Sequence, residues 1–220
     1  MTISPRCSGT LPNGKVLTQQ NQVITYVSHN LEPYRGFHQF MRAVPEICQR
    51  HPNSQIVIVG GDEVNYGHRL PNNQTYREKL LQEISIDPNR VHFLGKIPYV
   101  NYLALLQVST AHIYLTVPFV LSWSMLEAMA AGCLVIGSDT APVREVLQHG
   151  KNGLLVDFFS PQQIVDAVEK VLTHPDRMQS IRQAARKTIV EQYELQQSLR
   201  QYQAVISGLL MPMLNGIKQI

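Results

Sequence analysis

Residues 118–132, PFVLSWSMLEAMAAG, set one carboxylate, Glu127, among apolar and small residues. An ionised carboxylate in such company needs a partner. Two chemistries fit. Ser124-x-x-Glu127 matches a capping box, in which the glutamate turns back onto the serine amide. In the other, Glu127 lies one turn into a helix whose first residues, Ser122, Trp123 and Ser124, present unpaired N–H groups. Such an end attracts anions, and a carboxylate beside it can grip the hydroxyls of a ribose diol. Spacing alone leaves both open.

Two further stretches carry usable groups. In SHNLEPYRGFHQF (28–40), Arg35 and Gly36 open a helix, so a guanidinium and backbone amides point the same way and can hold a phosphate. A solvated arginine on an ordinary turn is the plain alternative. In GGDEVNYGHR (60–69), Gly60 and Gly61 end a strand and permit close backbone approach to a ligand. Asp62 and Glu63 equally suit turn chemistry. His29 closes the preceding strand and is the histidine to watch, although lone histidines are commonly structural or solvated. No GxGxxG follows a strand, and GxxxxGK[ST], HExxH and GxSxG are absent.

These groups need a scaffold to position them. Short β-branched runs recur at VITYVS (23–28), QIVIVGG (55–61), VHFLGK (91–96), AHIYLTV (111–117), CLVIGSD (133–139) and GLLVDFF (153–159). Several are continuously apolar, as strands buried on both faces should be. Between them lie helical patterns at 36–50, 75–85, 99–109, 124–132 and 142–150. The first puts Phe37, Phe40, Met41 and Val44 on one face and expects a kink at Pro45. A helix over 160–175 opens with a Ser160 cap and Pro161, and residues 176–212 read as helical throughout.

The alternation predicts an α/β fold: one Rossmann-like parallel sheet of about six strands, helices on both faces, right-handed crossovers and a helical C-terminal extension. Ligands of such sheets bind at the carboxyl ends of the strands. Residues 1–21, rich in Gly, Pro, Ser, Thr and Asn, read as a leader or interdomain linker, 22–200 as the domain, and 201–220 as an apolar helix or tail. The tail, VISGLLMPML, lacks an evident partner in the sheet, so a homodimer or a missing domain is expected to cover it.

A chain 44% hydrophobic and 16% charged can bury a substantial core and is not disordered. A net charge of +3, with lysine and arginine scattered, suits a small anionic ligand but not a nucleic-acid footprint. Cys7, Cys48 and Cys133 are far apart, without metal or disulfide spacing, which favours a reducing compartment. No signal peptide and no transmembrane run is evident, so a cytoplasmic location is expected, with peripheral association at the inner membrane surface as an option.

Taken together, the segments VSHNLEPYRGFHQFMRAVP, QIVIVGGDEVNYG, VHFLGKIPY and PFVLSWSMLEAMAAGCLVIGSDTAPVREVLQHGKNGLLVDFF resemble the carboxyl-terminal domain of GT-B retaining glycosyltransferases of family 4, from about Val23 to Tyr202. The resemblance implies the donor half of a metal-independent hexosyltransferase, without cofactor, whose substrate is a UDP-, GDP- or ADP-sugar. It gives Glu127 the ribose hydroxyls, and the helix start at Ser122, Trp123 and Ser124 the diphosphate. Arg35 stands where a basic residue holds the same phosphates, and Gly95, Lys96 and Ile97 fall where backbone groups meet the base. It implies catalysis by electrostatic support of the departing diphosphate, from Arg35 and the helix end, with no protein nucleophile.

The sequence departs from the family pattern at three places. Phe119 stands eight residues before Glu127, where a first glutamate contacts the sugar, and His29 replaces a basic residue. The usual glycine-rich turn reads LSWS. One Rossmann-like half is expected here, its partner being an N-terminal acceptor domain or a separate chain facing the apolar C-terminal helix, which would strand Val205, Leu209, Leu210 and Met213. Alone, such a half is expected to bind nucleotide weakly and turn over little. A truncated, non-catalytic assembly subunit is the alternative reading. A nucleotide-sugar epimerase of the same architecture is a third, disfavoured because it also needs both halves.

Overall fold

The computed structural model describes residues 9–11 and 14–217, with side chains described for Leu11 and residues 14–208. The described residues form eight strands and eight α-helices, which alternate from β3 to α6. The strands are β1 (Gly9–Thr10), β2 (Val16–Leu17), β3 (Val23–Asn30), β4 (Gln55–Gly61), β5 (Val91–Phe93), β6 (Ala111–Tyr114), β7 (Leu134–Ser138) and β8 (Leu154–Val156). The helices are α1 (Phe37–Arg50), α2 (Tyr76–Glu83), α3 (Tyr99–Val108), α4 (Trp123–Ala131), α5 (Ala141–Arg144), α6 (Pro161–Thr173), α7 (Pro175–Gln192) and α8 (Leu195–Ile217).

Six strands form one parallel sheet in the order β5-β4-β3-β6-β7-β8, as the alternation predicts. Ile24 of β3 pairs with Ile56 on one side and Ala111 on the other. Every residue of β4 is buried, which is why its apolar run does not alternate. Ile24, Tyr26, Ile58 and Ile113 face α1 and α6, whose Phe40, Val44 and Val168 complete that layer. On the opposite face Tyr114 and Val135 meet Met125 and Met129 of α4 and Ala185 of α7. Strand order reverses between β3 and β6, so their following loops part and leave a crevice at the carboxyl edge.

Several expectations are corrected. The helix expected over 142–150 stops at Arg144. Asn152 takes over the backbone there, accepting from the Gln148 amide at 2.6 Å and donating to the Val146 carbonyl at 2.9 Å, so side-chain bonds replace helical ones. The stretch expected helical over 176–212 breaks at Tyr193, and Glu194 caps a new helix by accepting from the Gln197 amide at 2.8 Å. The helix expected over 36–50 does form, as α1, with Pro45 inside it.

Within the expected leader, β1 and β2 pair antiparallel, and Leu11 and Leu17 bury against Val57, Leu105 and Val108. Residues 1–8 of that leader lie outside the described residues. Helix α8 continues into the expected tail with Leu199, Tyr202, Val205 and Ile206 exposed; the side chains of Leu209, Leu210 and Met213 lie outside the described residues. Among the described residues no helix is long and apolar enough to cross a membrane.

Candidate functional site

A cleft of about 390 Å³ opens at the carboxyl edge between the β3, β4 and β6 loops. His29, Lys96, Ile97 and Glu127 line it, and so do Ser122, Trp123 and Ser124. The structure therefore brings together seven residues that the sequence singled out from three separate segments. Gly95, at φ +64°, turns the chain after β5 so that Lys96 and Ile97 face the cleft, and its carbonyl accepts from the Gly60 amide at 3.0 Å. Gly61 lies beside the cleft: a side chain there would press on Asn30, Glu63 and Lys96. Lys96 pairs with Glu63 at 2.8 Å, but both side chains are more than half exposed, at 51% and 66%, so solvent screens the pair. Lys96 keeps its charge available at the rim.

Ser122, not Ser124, is the N-cap of α4: its side chain accepts from the Ser124 amide at 3.4 Å. Glu127 is then the fifth helical residue, out of reach of a capping box. Its carboxylate instead accepts from two phenols, Tyr99 into Oε1 at 2.9 Å and Tyr102 into Oε2 at 2.8 Å. The Glu127 bond raises the Tyr99 hydroxyl above its ordinary range. Burial, reinforced by Glu127, raises that of Tyr102. Both phenols therefore stay protonated as donors. A carboxylate offers about four acceptor sites, so two bonds orient Glu127 and leave capacity toward the cleft. Behind it Met125 and Met129 are fully buried, which sets the face of α4 that Glu127 presents.

Arg35 sits behind the cleft wall. Its Nη1 donates to Thr116 Oγ1 at 3.1 Å and to the Val120 carbonyl at 3.0 Å, fastening the loop that runs into α4. Its guanidinium also lies over the rings of Tyr66, at 5.8 Å, and Phe119, at 5.4 Å. Both hydrogen bonds leave from one nitrogen of a five-donor group, so the fork is not exhausted. Gly36 is the left-handed N-cap of α1 at φ +69°, and a Cβ there would strike Leu115 Cβ. It brings the β3 and β6 loops into contact at the switch point.

Sequence reasoning missed three residues. Tyr99 and Tyr102 carried only a weak signal, two phenols three residues apart at a helix start. Glu32 is the third. Only 1% exposed, it accepts from the Tyr66 amide at 3.0 Å and the Gly67 amide at 3.1 Å, tying the β4 loop to the β3 loop. That tie holds the Tyr66 ring 5.0 Å from Phe119. Among the described residues no group of three or more His, Cys, Asp or Glu is placed to hold a metal ion.

Fold and cleft together define a class: a doubly wound, Rossmann-like α/β domain with its ligand crevice at the switch point. The chain belongs to the family described as glycosyl transferases group 1, whose model matches residues 13–188. It is 30% identical over 161 residues to the D-inositol 3-phosphate glycosyltransferase of Corynebacterium jeikeium, covering 71% of this chain and 36% of that protein. It is 28% identical over 138 residues to the N-acetyl-alpha-D-glucosaminyl L-malate synthase of Bacillus anthracis, covering 63% of this chain and 35% of that one. The chain thus spans less than half the length of these relatives.

Among solved structures, sucrose-phosphate synthase of Thermosynechococcus elongatus shares the fold with a TM-score of 0.73 at 20% identity, over 88% of this chain and 47% of that one. The carboxyl-terminal domain of a group 1 glycosyltransferase from Francisella tularensis matches with a TM-score of 0.67 at 20% identity, over 79% of this chain and 87% of that domain. The likeness thus covers about half of the first chain and most of a carboxyl-terminal domain in the second.

Proposed function

We propose that the chain is the donor-binding half of a retaining glycosyltransferase of family 4, moving a sugar from a nucleoside-diphosphate sugar to an acceptor hydroxyl. The observation that carries this reading is the Glu127 carboxylate, held by two phenols in the same cleft as the amide end of α4. The ribose hydroxyls donate to Glu127, and the diphosphate lies against the amides of Ser122, Trp123 and Ser124. Lys96 and His29 border the same space with positive or titratable groups. Arg35 fixes the loop into α4, and its positive charge supports the leaving diphosphate electrostatically. Gly95, Lys96 and Ile97 meet the base, while Gly36 and Gly61 keep the loops close. The whole enzyme works in the cytoplasm without metal or organic cofactor, and its acceptor half is a second Rossmann-like domain, in the same chain or another.

One observation favours the second reading, a binding subunit that assembles with a separate amino-terminal half or a second copy. Leu195, Leu199, Tyr202 and Ile206 present one exposed apolar face of α8, which a partner would cover.

Calorimetry against UDP, GDP and ADP, each with and without its sugar, tests the donor reading. One nucleotide is expected to bind, and Glu127→Ala to lose at least tenfold in affinity with the fold intact. Binding of none, or equal binding by Glu127→Ala, overturns it.

A further inference from the structure

Helix α7 buries Met178, Ile181 and Ala185 against the domain. Its neighbouring polar stripe does not open onto flat solvent. Gln179, Arg182, Gln183 and Arg186 line a trough of about 460 Å³ at the amino-terminal edge of the sheet, walled opposite by Gln107. This trough shares no lining residue with the donor cleft, and a smaller recess lined by Tyr99, Gln107, Glu127 and Arg186 lies between the two.

The two arginines are one helical turn apart, roughly 6 Å along the axis. Arg182 donates to the Thr110 carbonyl at 2.6 Å, and Arg186 to the Ala130 carbonyl. Neither has a carboxylate within 4.0 Å among the described residues, in contrast to Arg42, Arg50, Arg77 and Arg144, which all do. Arg90, also partly buried and without a carboxylate, bonds instead to three carbonyls and the Ser54 hydroxyl. Arg182 has no such set: its Nε is buried with no acceptor. Burial lowers its pKa, the sign of a cation short of hydration and of counter-charge. Asp176 sits at the far end of the trough, about 9 Å along the helix from Arg182.

A poorly hydrated guanidinium with a second one a turn away gains most from an anion that accepts from both. The surrounding amides donate and accept, which suits a phosphate and the hydroxyls attached to it. We infer that the Arg182–Arg186 trough is a second ligand site, selective for a phosphate group, either free or carried on a small polyol.

Thermal unfolding of the whole chain, at matched ionic strength in chloride, tests this with inorganic phosphate and with glycerol phosphate. Phosphate at ten times its dissociation constant is expected to raise Tm by about 3 °C. The rise should survive in Glu127→Ala and vanish in Arg186→Gln, an exposed position whose circular dichroism should be unchanged. Arg182→Lys, which keeps the charge but not the fork, should reduce it several-fold. A larger rise with glycerol phosphate identifies a polyol carrier, and an equal rise identifies free phosphate. No rise in the wild type, or one that persists in Arg186→Gln, overturns the site.

Discussion

The Tyr102 hydroxyl donates to Glu127 Oε2 at 2.8 Å across 25 residues of sequence, and this bond decides where the only carboxylate of α4 points. Tyr102 is 8% exposed whereas Tyr99 is 61% exposed, so the two phenols are unequal supports. Tyr102→Phe should cost about 1.5 kcal/mol of stability, the scale of a bond to a charged group, and Tyr99→Phe clearly less. Both should weaken nucleotide binding without changing which base is preferred. Urea unfolding with calorimetry on the two variants checks this, and equal stability losses would contradict the ranking.

Glu32 should matter more than any exposed ion pair. Its removal in Glu32→Ala leaves the Tyr66 and Gly67 amides without their acceptor and frees the β4 loop. A loss of about 2–3 kcal/mol is expected, with Glu32→Gln milder because it keeps one acceptor oxygen. Hydrogen exchange at the amides of Tyr66 and Gly67 should accelerate together in Glu32→Ala.

Gly36→Ala combines a left-handed backbone with a collision at Leu115. It should destabilise by at least about 2 kcal/mol and spread the β3 and β6 loops. By contrast Gly132→Ala, also left-handed but with open space around it, should cost only about 1 kcal/mol. Comparing the two by denaturation separates collision from backbone strain.

Acid should weaken the fold through His112. Burial alone lowers its pKa to about 4, and it is fully buried. The unfolded imidazole, near 6.5, therefore takes up a proton first as pH falls. With more protons on the unfolded chain, stability rises with pH between about 4 and 6.5, by roughly 1.4 kcal/mol per unit for a fully shifted group. His38, lowered to about 4 by burial and then by Arg42, adds a smaller share because it is partly exposed. Asp139, held below the carboxylate range by Arg144, acts at lower pH. The midpoint of urea unfolding should fall over the histidine window, with a shallower slope in His112→Gln. An unchanged slope in that variant would remove His112 from the account.

Two serine-or-threonine/glutamate patterns near helix starts show where local reading ends. Thr75-x-x-Glu78 forms a true capping box, with bonds of 2.9 and 3.1 Å. Ser124-x-x-Glu127 has the same spacing and forms none, because Ser122 has already ended the preceding loop. That loop is held by the Tyr114 hydroxyl, which accepts from the Ser122 amide at 2.7 Å. Helix starts are therefore set partly by contacts that spacing does not encode.

From residue order alone, the six-stranded parallel sheet and the loops that flank its crevice could be read, because burial on both faces writes continuous apolar runs and helices write their own period. The cleft residues His29, Lys96, Ile97 and Glu127 were recognisable as members of motifs. Tertiary structure alone decided that Glu127 rests on Tyr99 and Tyr102, that Glu32 ties down Tyr66, and that Arg35 holds the loop into α4. The reason is range: periodicity reports a residue's neighbours within a turn or a pleat, whereas these partners lie 25 to 85 residues apart and meet only after the sheet has folded.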